Sequence, residues 1–258
     1  MVLLALMSFQ MNSLYLNILE YIRKKERQMA VLIDPDKLEL HRVARIISKI
    51  EASAITHIFV GGSEVEEDAT DILVREIKKY SKLPVILFPG DITQVSEYAD
   101  GLLFLSLISG RNPDYLIEKH VQSVSKLRTT TLEVIPTGYI LIENGKKTSV
   151  ERISKTRPLK RCNIDEIVDT AKAGELLGMK LIYLEAGSGA THSIEPEIIS
   201  RVKQDLKIPL IVGGGIRTKK ELELAYNAGA NMVVIGTAFE KDETFFEVLK
   251  KKNETVSR

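Results

Sequence analysis

A (β/α)8 barrel of the TIM type is the fold class that the sequence predicts, and three observations predict it. Eight short apolar runs alternate with segments of helical periodicity. The runs are continuously apolar, which is typical of parallel strands that are buried on both faces. Composition does not break along the chain, which favours one barrel over two doubly wound domains. We therefore expect a single domain over residues 1–258.

The predicted strands come in the order of the chain. They span residues 29–34, 55–62, 84–90, 101–106, 132–143, 180–187, 208–215 and 231–237. Only "DITQVSEYAD" separates the third strand from the fourth, so we expect the helix there to be short or missing.

Four helices are marked by their ends or by their periodicity. "SLYLNILEYIRKKER" predicts an extra amphipathic helix before the first strand. Another is predicted to start near Pro113, and a third to run from Asn163 to Gly178. "TKKELELAYNAG" opens with a capping box of Thr218 and Glu221 and ends at a glycine. The polar, basic segment 143–162 predicts a long loop at the functional end of the barrel.

Composition excludes several classes of protein. The net charge of +1 does not indicate a nucleic-acid partner. The lone Cys162 excludes an internal disulfide and a multi-cysteine metal site, and is compatible with a reducing compartment. The apolar start at residues 1–11 resembles neither a signal peptide nor a membrane span, and Met7 or Met11 could be the true start. We expect a disordered or peripheral leader there and a soluble, cytoplasmic protein without a transmembrane segment.

Glycines follow the last two predicted strands. In such barrels these two loops bind phosphate through backbone N–H groups near a helix N-terminus, and glycine lets the backbone approach the anion closely. The alternative is that the glycines only form tight turns. Two glycine-rich ends joined by a capped helix favour phosphate binding, at Gly214, Gly215, Gly236 and Thr237.

Carboxylates end two other strands. Glu185 lies two residues after Tyr183, so both side chains should point the same way; Glu185 could bind or deprotonate a substrate hydroxyl, or accept loop N–H groups. Asp34, with Ser63 on the neighbouring strand, could bind Mg²⁺. Turn chemistry at Asp34 and a helix cap at Ser63 are the alternatives.

These motifs together resemble the geranylgeranylglyceryl phosphate synthase family. The matching stretches are "LIDPDK", "VGGS", "FPGD", "LFLSLISGRNPDYL", "VIPTGYILIE", "MKLIYLEAGSGA", "IPLIVGGGIRT" and "VVIGTAFE". The resemblance implies a prenyltransferase of ether-lipid biosynthesis. It would join the 3-hydroxyl of sn-glycerol 1-phosphate to a long prenyl diphosphate, such as geranylgeranyl diphosphate, and release diphosphate with Mg²⁺ as cofactor.

The resemblance also implies residue roles. Asp34 and Ser63 match the metal ligands, and Glu185 and Asp34 are the expected catalytic residues. The residues that match the glycerol phosphate site are Tyr183, Glu185, Gly187, Ser188, Gly189, Gly214, Gly215, Gly236 and Thr237. Some bacterial members, which make heptaprenylglyceryl phosphate, carry a lysine where this chain has Leu32, so heptaprenyl specificity is not implied.

Other features of the sequence allow more than one interpretation. The Leu102–Leu107 region and the short third unit are candidates for a prenyl groove, or for ordinary core. Arg111 is a candidate for a diphosphate contact or a plain surface charge. A sugar-phosphate isomerase or cyclase, and a non-enzymatic phosphate sensor or scaffold, are alternatives on the same fold. A homo-oligomer and a transient membrane contact for product release are further expectations.

Overall fold

Eight parallel strands close into a barrel in chain order, which confirms the predicted fold class. The computed structural model describes residues 13–62, 65–66, 68–236 and 249. The strands are β1 (Gln28–Ile33), β2 (His57–Val60), β3 (Val85–Leu87), β4 (Gly101–Leu107), β5 (Glu133–Leu141), β6 (Leu181–Glu185), β7 (Leu210–Gly213) and β8 (Met232–Ile235). Each predicted run overlaps one of these strands, although β1 begins one residue before its run and β4 ends one residue after its run.

The helices of the described residues pack around the barrel and at its ends. They are α1 (Leu14–Arg23), α2 (Val43–Glu51), α3 (Ala69–Lys78), α4 (Glu118–Leu127), α5 (Ser149–Ser154), α6 (Ile164–Leu176), α7 (Pro196–Asp205) and α8 (Lys219–Asn227). Between β3 and β4 the chain forms only a 3-10 turn, Ile92–Gln94, as the short connection predicts. The capping box of Thr218 and Glu221 is present at the start of α8.

The predicted helix start at Pro113 is wrong. Pro113–Tyr115 form a 3-10 turn, and α4 begins only at Glu118. Ile117 separates the two, because its backbone (φ −147°, ψ −41°) is not helical. In the predicted loop 143–162, the short helix α5 has a capping box of its own, formed by Thr148 and Glu151.

The extra helix α1 packs across the amino ends of the strands. Its Leu14 and Ile18 are buried in the inner cluster of the barrel. Gly101 leaves room for this helix, since a Cβ there would lie 2.5 Å from Leu14 Cδ1. The Glu133 carboxylate caps α1 by accepting hydrogen bonds from Ser13 Oγ (2.7 Å) and from the amide nitrogens of Leu14 (2.5 Å) and Tyr15 (3.0 Å). A carboxylate at this end also complements the helix dipole.

We expect Glu133→Ala to lower the free energy of unfolding by about 1–3 kcal/mol, because three donors lose a charged acceptor. Urea denaturation measures this change. Glu97→Ala, which removes an exposed carboxylate, is the control and should leave the midpoint in place. Equal midpoints for both variants would show that the cap does not hold α1.

Residues 1–11, the predicted leader, lie outside the described residues. Within the described part of the chain, every helix is too short or too polar to cross a lipid bilayer.

Candidate active site

A cavity of about 490 Å³ opens among the carboxyl ends of the strands. It brings together the predicted site residues that the structure describes. These are Asp34, Tyr183, Glu185, Gly187, Ser188, Gly189, Gly214, Gly215 and Gly236. Ser63 and Thr237 lie outside the described residues, so their predicted roles stay predictions.

Glu185 is the last residue of β6 and is 6% exposed. One carboxylate oxygen accepts a hydrogen bond from the Gly187 amide (2.5 Å). Burial raises the pKa of Glu185 to about 7, against the opposing effects of the Gly187 amide and the nearby Tyr183 hydroxyl. A carboxyl with this pKa can take up or release a proton near neutral pH. From the sequence, Glu185 was either an acid–base group or an acceptor for loop N–H groups. In the structure the same side chain accepts from the Gly187 amide and has a pKa suited to proton transfer.

Tyr183 lies beside this carboxylate inside the barrel, as the two-residue spacing predicts. Its hydroxyl is buried and has no hydrogen-bond partner of ordinary geometry among the described residues. Its ring contacts Phe88 (centroids 5.2 Å apart) and Tyr139 (5.5 Å), and all three rings line the cavity. Phe88 and Tyr139 were not among the predicted site residues. The signal for them was two-residue alternation, which continues from Ile86 of β3 to Phe88 directly after it, runs along β5, and points both rings inwards.

Packing within the protein requires the glycines at and directly after the end of β7. A Cβ on Gly213 would overlap the Tyr183 hydroxyl, and a Cβ on Gly214 would overlap Glu185 Oε1. Gly215 would place its Cβ 2.8 Å from the Ser193 amide nitrogen. Gly214 (φ +82°) and Gly215 (φ +73°) also have left-handed backbones. Tight packing therefore accounts for these glycines, in addition to any ligand.

Gly236 differs from the glycines at the end of β7, because a Cβ there would not overlap the described protein atoms. The protein atoms nearest to a Cβ there belong to Leu32, 3.8 Å away among the described residues, and its φ is not left-handed. No atom of the described residues requires glycine at this position, and Gly236 lines the cavity. The free space beside Gly236 is what a backbone contact to a ligand needs.

The loops after β6 and β7 are tied to each other. Ala186 N donates to Gly213 O (3.1 Å), and the Arg217 guanidinium donates to Ala190 O. Helix α8 begins directly after these contacts. Glycines of both loops thus border the same side of the cavity, and their backbone amides are a suitable arrangement for a phosphate group.

Asp34 follows β1 on another side of the cavity, and its side chain is 18% exposed. Its carboxylate forms an ion pair with Lys37 (2.8 Å) and accepts from the Asp36 amide (3.2 Å), so turn chemistry is present here. A Cβ on Gly62 would lie 3.0 Å from Asp34 Oδ1, so the loop after β2 passes close to this carboxylate.

The Asp34 carboxylate, at the edge of the cavity, is the kind of oxygen ligand that Mg²⁺ prefers. The described residues contain no cluster of three or more histidine, cysteine or acidic side chains for a metal. Mg²⁺ does not need such a cluster, because one or two protein carboxylates, water and substrate phosphates commonly hold it.

Gln94 is a third site residue that could not be identified from the sequence. It is 2% exposed and joins the loops after β2 and β3. Its Oε1 accepts from the amides of Gly62 (3.3 Å) and Gly90 (3.1 Å), and its Nε2 donates to Gly62 O (2.8 Å). No pattern marks this residue, since it lies in the 3-10 turn that replaces a helix.

The missing helix leaves an apolar groove along β4. Leu103 and Leu107 line the cavity from inside the barrel, while Leu102 and Phe104 line it from the outer face of the strand. Helices α4 and α5 border it with His120, Ser123, Val150 and Ile153. The predicted candidate region Leu102–Leu107 therefore forms a groove continuous with the site.

Arg111 does not line this cavity. Its guanidinium donates to Ile108 O (2.8 Å) and Thr170 Oγ1 (3.3 Å). The structure favours the surface-charge alternative for Arg111.

A family model described as the PcrB family matches residues 21–254. The chain belongs to the PcrB family. This PcrB-family chain is 52% identical over 237 residues to the geranylgeranylglyceryl phosphate synthase of Flavobacterium johnsoniae, which covers 92% of the chain and 98% of the relative. It is 40% identical over 235 residues to the synthase of Thermococcus gammatolerans, with 91% and 92% covered.

Solved structures agree with this family. The (S)-3-O-geranylgeranylglyceryl phosphate synthase of Thermoplasma acidophilum, in complex with its substrate sn-glycerol-1-phosphate, superposes with a TM-score of 0.86 at 32% identity. The match covers 92% of this chain and 95% of that one. Thiamine phosphate pyrophosphorylase of Pyrococcus furiosus (TM-score 0.52, 13% identity) shares the fold alone.

Proposed function

We propose that this PcrB-family protein is a geranylgeranylglyceryl phosphate synthase, a prenyltransferase of ether-lipid biosynthesis. It joins the 3-hydroxyl of sn-glycerol 1-phosphate to C1 of a prenyl diphosphate and releases diphosphate. One observation carries the proposal: the buried Glu185, with a pKa of about 7, lines the same cavity as the glycine loops and the apolar groove.

Three parts of the cavity have separate roles in the proposed reaction. The backbone amides near Gly214, Gly215 and Gly236 bind the phosphate and so fix the position of the glycerol hydroxyl. Glu185 accepts the proton from that hydroxyl as the ether bond forms. The groove along β4 binds the hydrocarbon chain and keeps water away from the allylic carbon.

Mg²⁺ would be held by Asp34, with Ser63 as the second predicted ligand. When bound, it stabilises the negative charge that develops on the departing diphosphate.

The proposal is tested by incubating the protein with sn-glycerol 1-phosphate, geranylgeranyl diphosphate and Mg²⁺ and looking for the ether product by mass spectrometry. Absence of an ether product with prenyl chains of any length would refute it. Turnover of a sugar phosphate without prenyl diphosphate would instead favour the isomerase or cyclase alternative.

We expect Asp34→Asn to lower kcat/KM by about 10²-fold or more. The substitution removes the charged carboxylate that would hold Mg²⁺, and so weakens stabilisation of the departing diphosphate. Steady-state rates across a Mg²⁺ titration measure this, and calorimetry should show that sn-glycerol 1-phosphate still binds. Glu39→Gln, in the same loop but exposed and outside the cavity, is the matched control and should keep its rate. Full activity of Asp34→Asn would favour the sensor or scaffold alternative.

A homo-oligomer is part of the proposal. Ile117, Val121 and Val124 are exposed at positions i, i+4 and i+7 around the start and middle of α4 and form an apolar stripe. A second copy of the chain is the expected partner for this stripe, and sedimentation equilibrium tests it. We also expect the protein in the cytoplasm, where the exposed thiol of Cys162 stays reduced.

A further inference from the structure

The loop between β5 and α6 carries a concentrated positive charge. Residues 146–160, called the basic loop below, contain one acidic side chain, Glu151, and six cationic ones: Lys146, Lys147, Arg152, Lys155, Arg157 and Lys160. The basic loop therefore carries +5 in a chain of net charge +1, which leaves −4 for all other residues. Such asymmetry indicates a surface that meets an anionic partner.

The cationic side chains are accessible to solvent, and Lys146 also lies over Gly189, where a Cβ would be 3.2 Å from its Nζ. All six are exposed. The acidic Glu151 is occupied by the capping box of α5, where it accepts from the Thr148 amide (2.7 Å). Lys146, Lys147 and Arg157 form no ion pair with an acidic side chain that the structure describes. Their charge is therefore available to a partner.

The basic loop is also one wall of the apolar groove. Val150 and Ile153 of α5 line the cavity, whereas none of the six cationic side chains does. The Tyr115 hydroxyl donates to Ile153 O (3.2 Å) and Asn112 Nδ2 donates to Ser154 O (2.9 Å), which holds α5 against the loop after β4. Helix α5 thus presents apolar side chains to the groove, while five of the six exposed cationic residues lie in the segments on either side of α5.

We propose that the basic loop docks the protein on a membrane surface that carries anionic lipid headgroups, with the groove beside the bilayer. This inference rests on the proposed function for its purpose, since a long prenyl diphosphate and its ether product are amphiphiles that partition into membranes. Clusters of four to eight lysine and arginine residues are typical of segments that bind anionic lipid. A nucleic acid fits less well, because the basic loop contains no aromatic side chain for base stacking.

Vesicle co-sedimentation without substrates tests the proposal. We expect the protein to bind vesicles of equimolar phosphatidylcholine and phosphatidylglycerol, and not vesicles of phosphatidylcholine alone. Lys147→Gln, Arg157→Gln and Lys160→Gln together should weaken this binding roughly 100-fold, at about 1 kcal/mol for each cationic residue. High salt should weaken the binding of the unaltered protein in the same direction.

The matched control removes the same charge from the opposite end of the barrel. Lys25, Lys82 and Lys207 are exposed and lie just before β1, β3 and β7. Their triple replacement by glutamine should leave vesicle binding unchanged, and circular dichroism checks that both triple variants are folded.

Three results would overturn the proposal: no vesicle binding, equal binding to neutral and anionic vesicles, or equal losses in the two triple variants. A basic-loop variant that keeps vesicle binding but loses kcat/KM for dissolved sn-glycerol 1-phosphate would also overturn it, and would show that the charge steers substrate. Failure to form an ether product would refute the proposed function without altering the vesicle result.

Discussion

Replacing Glu185 by glutamine is expected to lower kcat by about 10²–10⁴-fold, the usual contribution of a positioned general base. Glutamine keeps the size of the side chain and an oxygen that can accept from the Gly187 amide, but it cannot take up the hydroxyl proton. Binding of sn-glycerol 1-phosphate, measured by calorimetry, should therefore persist while single-turnover rates fall. A variant with unchanged rates would exclude Glu185 as the base.

The pH dependence of the rate provides a second measure of the same group. Because the pKa of Glu185 is raised to about 7 by burial, kcat/KM should rise with pH and reach a plateau above that value. The Glu185→Gln variant should lose this inflection. A wild-type profile without an inflection near pH 7 would contradict the assignment.

Protein stability should change with pH in the opposite direction. The folded pKa lies above the ordinary value of 4.5, so the folded state holds the proton more tightly than the unfolded chain. The free energy of unfolding should therefore decline by on the order of 3 kcal/mol as the pH rises from about 4.5 to about 7. Above pH 7 it should stay level. Urea denaturation at several pH values should show that Glu185→Gln lacks this decline and exceeds the wild type in stability at alkaline pH.

The second large effect is expected from Gly214→Ala. Its Cβ would overlap Glu185 Oε1 and lie 2.7 Å and 2.8 Å from the amide nitrogens of Gly187 and Ala186, at a left-handed backbone position. These backbone atoms cannot move without disturbing the end of β6. We expect a loss of about 1–3 kcal/mol in the free energy of unfolding from overpacking. We also expect glycerol phosphate binding to fall below detection.

Gly236→Ala is the matched control for this substitution. Its Cβ meets only ordinary van der Waals contacts among the described residues, so the melting temperature should not change. The new methyl group should still weaken glycerol phosphate binding if the backbone there contacts the ligand. Wild-type binding by Gly214→Ala would contradict the site, and a lowered melting temperature of Gly236→Ala would show that the fold does require this glycine.

The barrel itself could be predicted from the sequence because its determinants are local. Each strand is a short apolar run ended by glycine or by a polar residue, and the Thr218–Glu221 box marks the start of α8 without reference to any other element. The start of α4 could not be predicted in the same way. Pro113 is compatible with a helix, but the non-helical Ile117 delays α4 until Glu118.

Within the site, the sequence by itself determined which residues meet at the cavity, since the carboxyl ends of all strands lie on one face of a barrel. Asp34, Glu185, Gly214 and Gly236 share one cavity for this reason. Only the tertiary structure decided what each residue experiences there. The pKa of Glu185, the role of Gln94 and the difference between Gly214 and Gly236 all depend on atoms from distant segments. Burial and close approach are properties of the packed chain, and no local pattern encodes them.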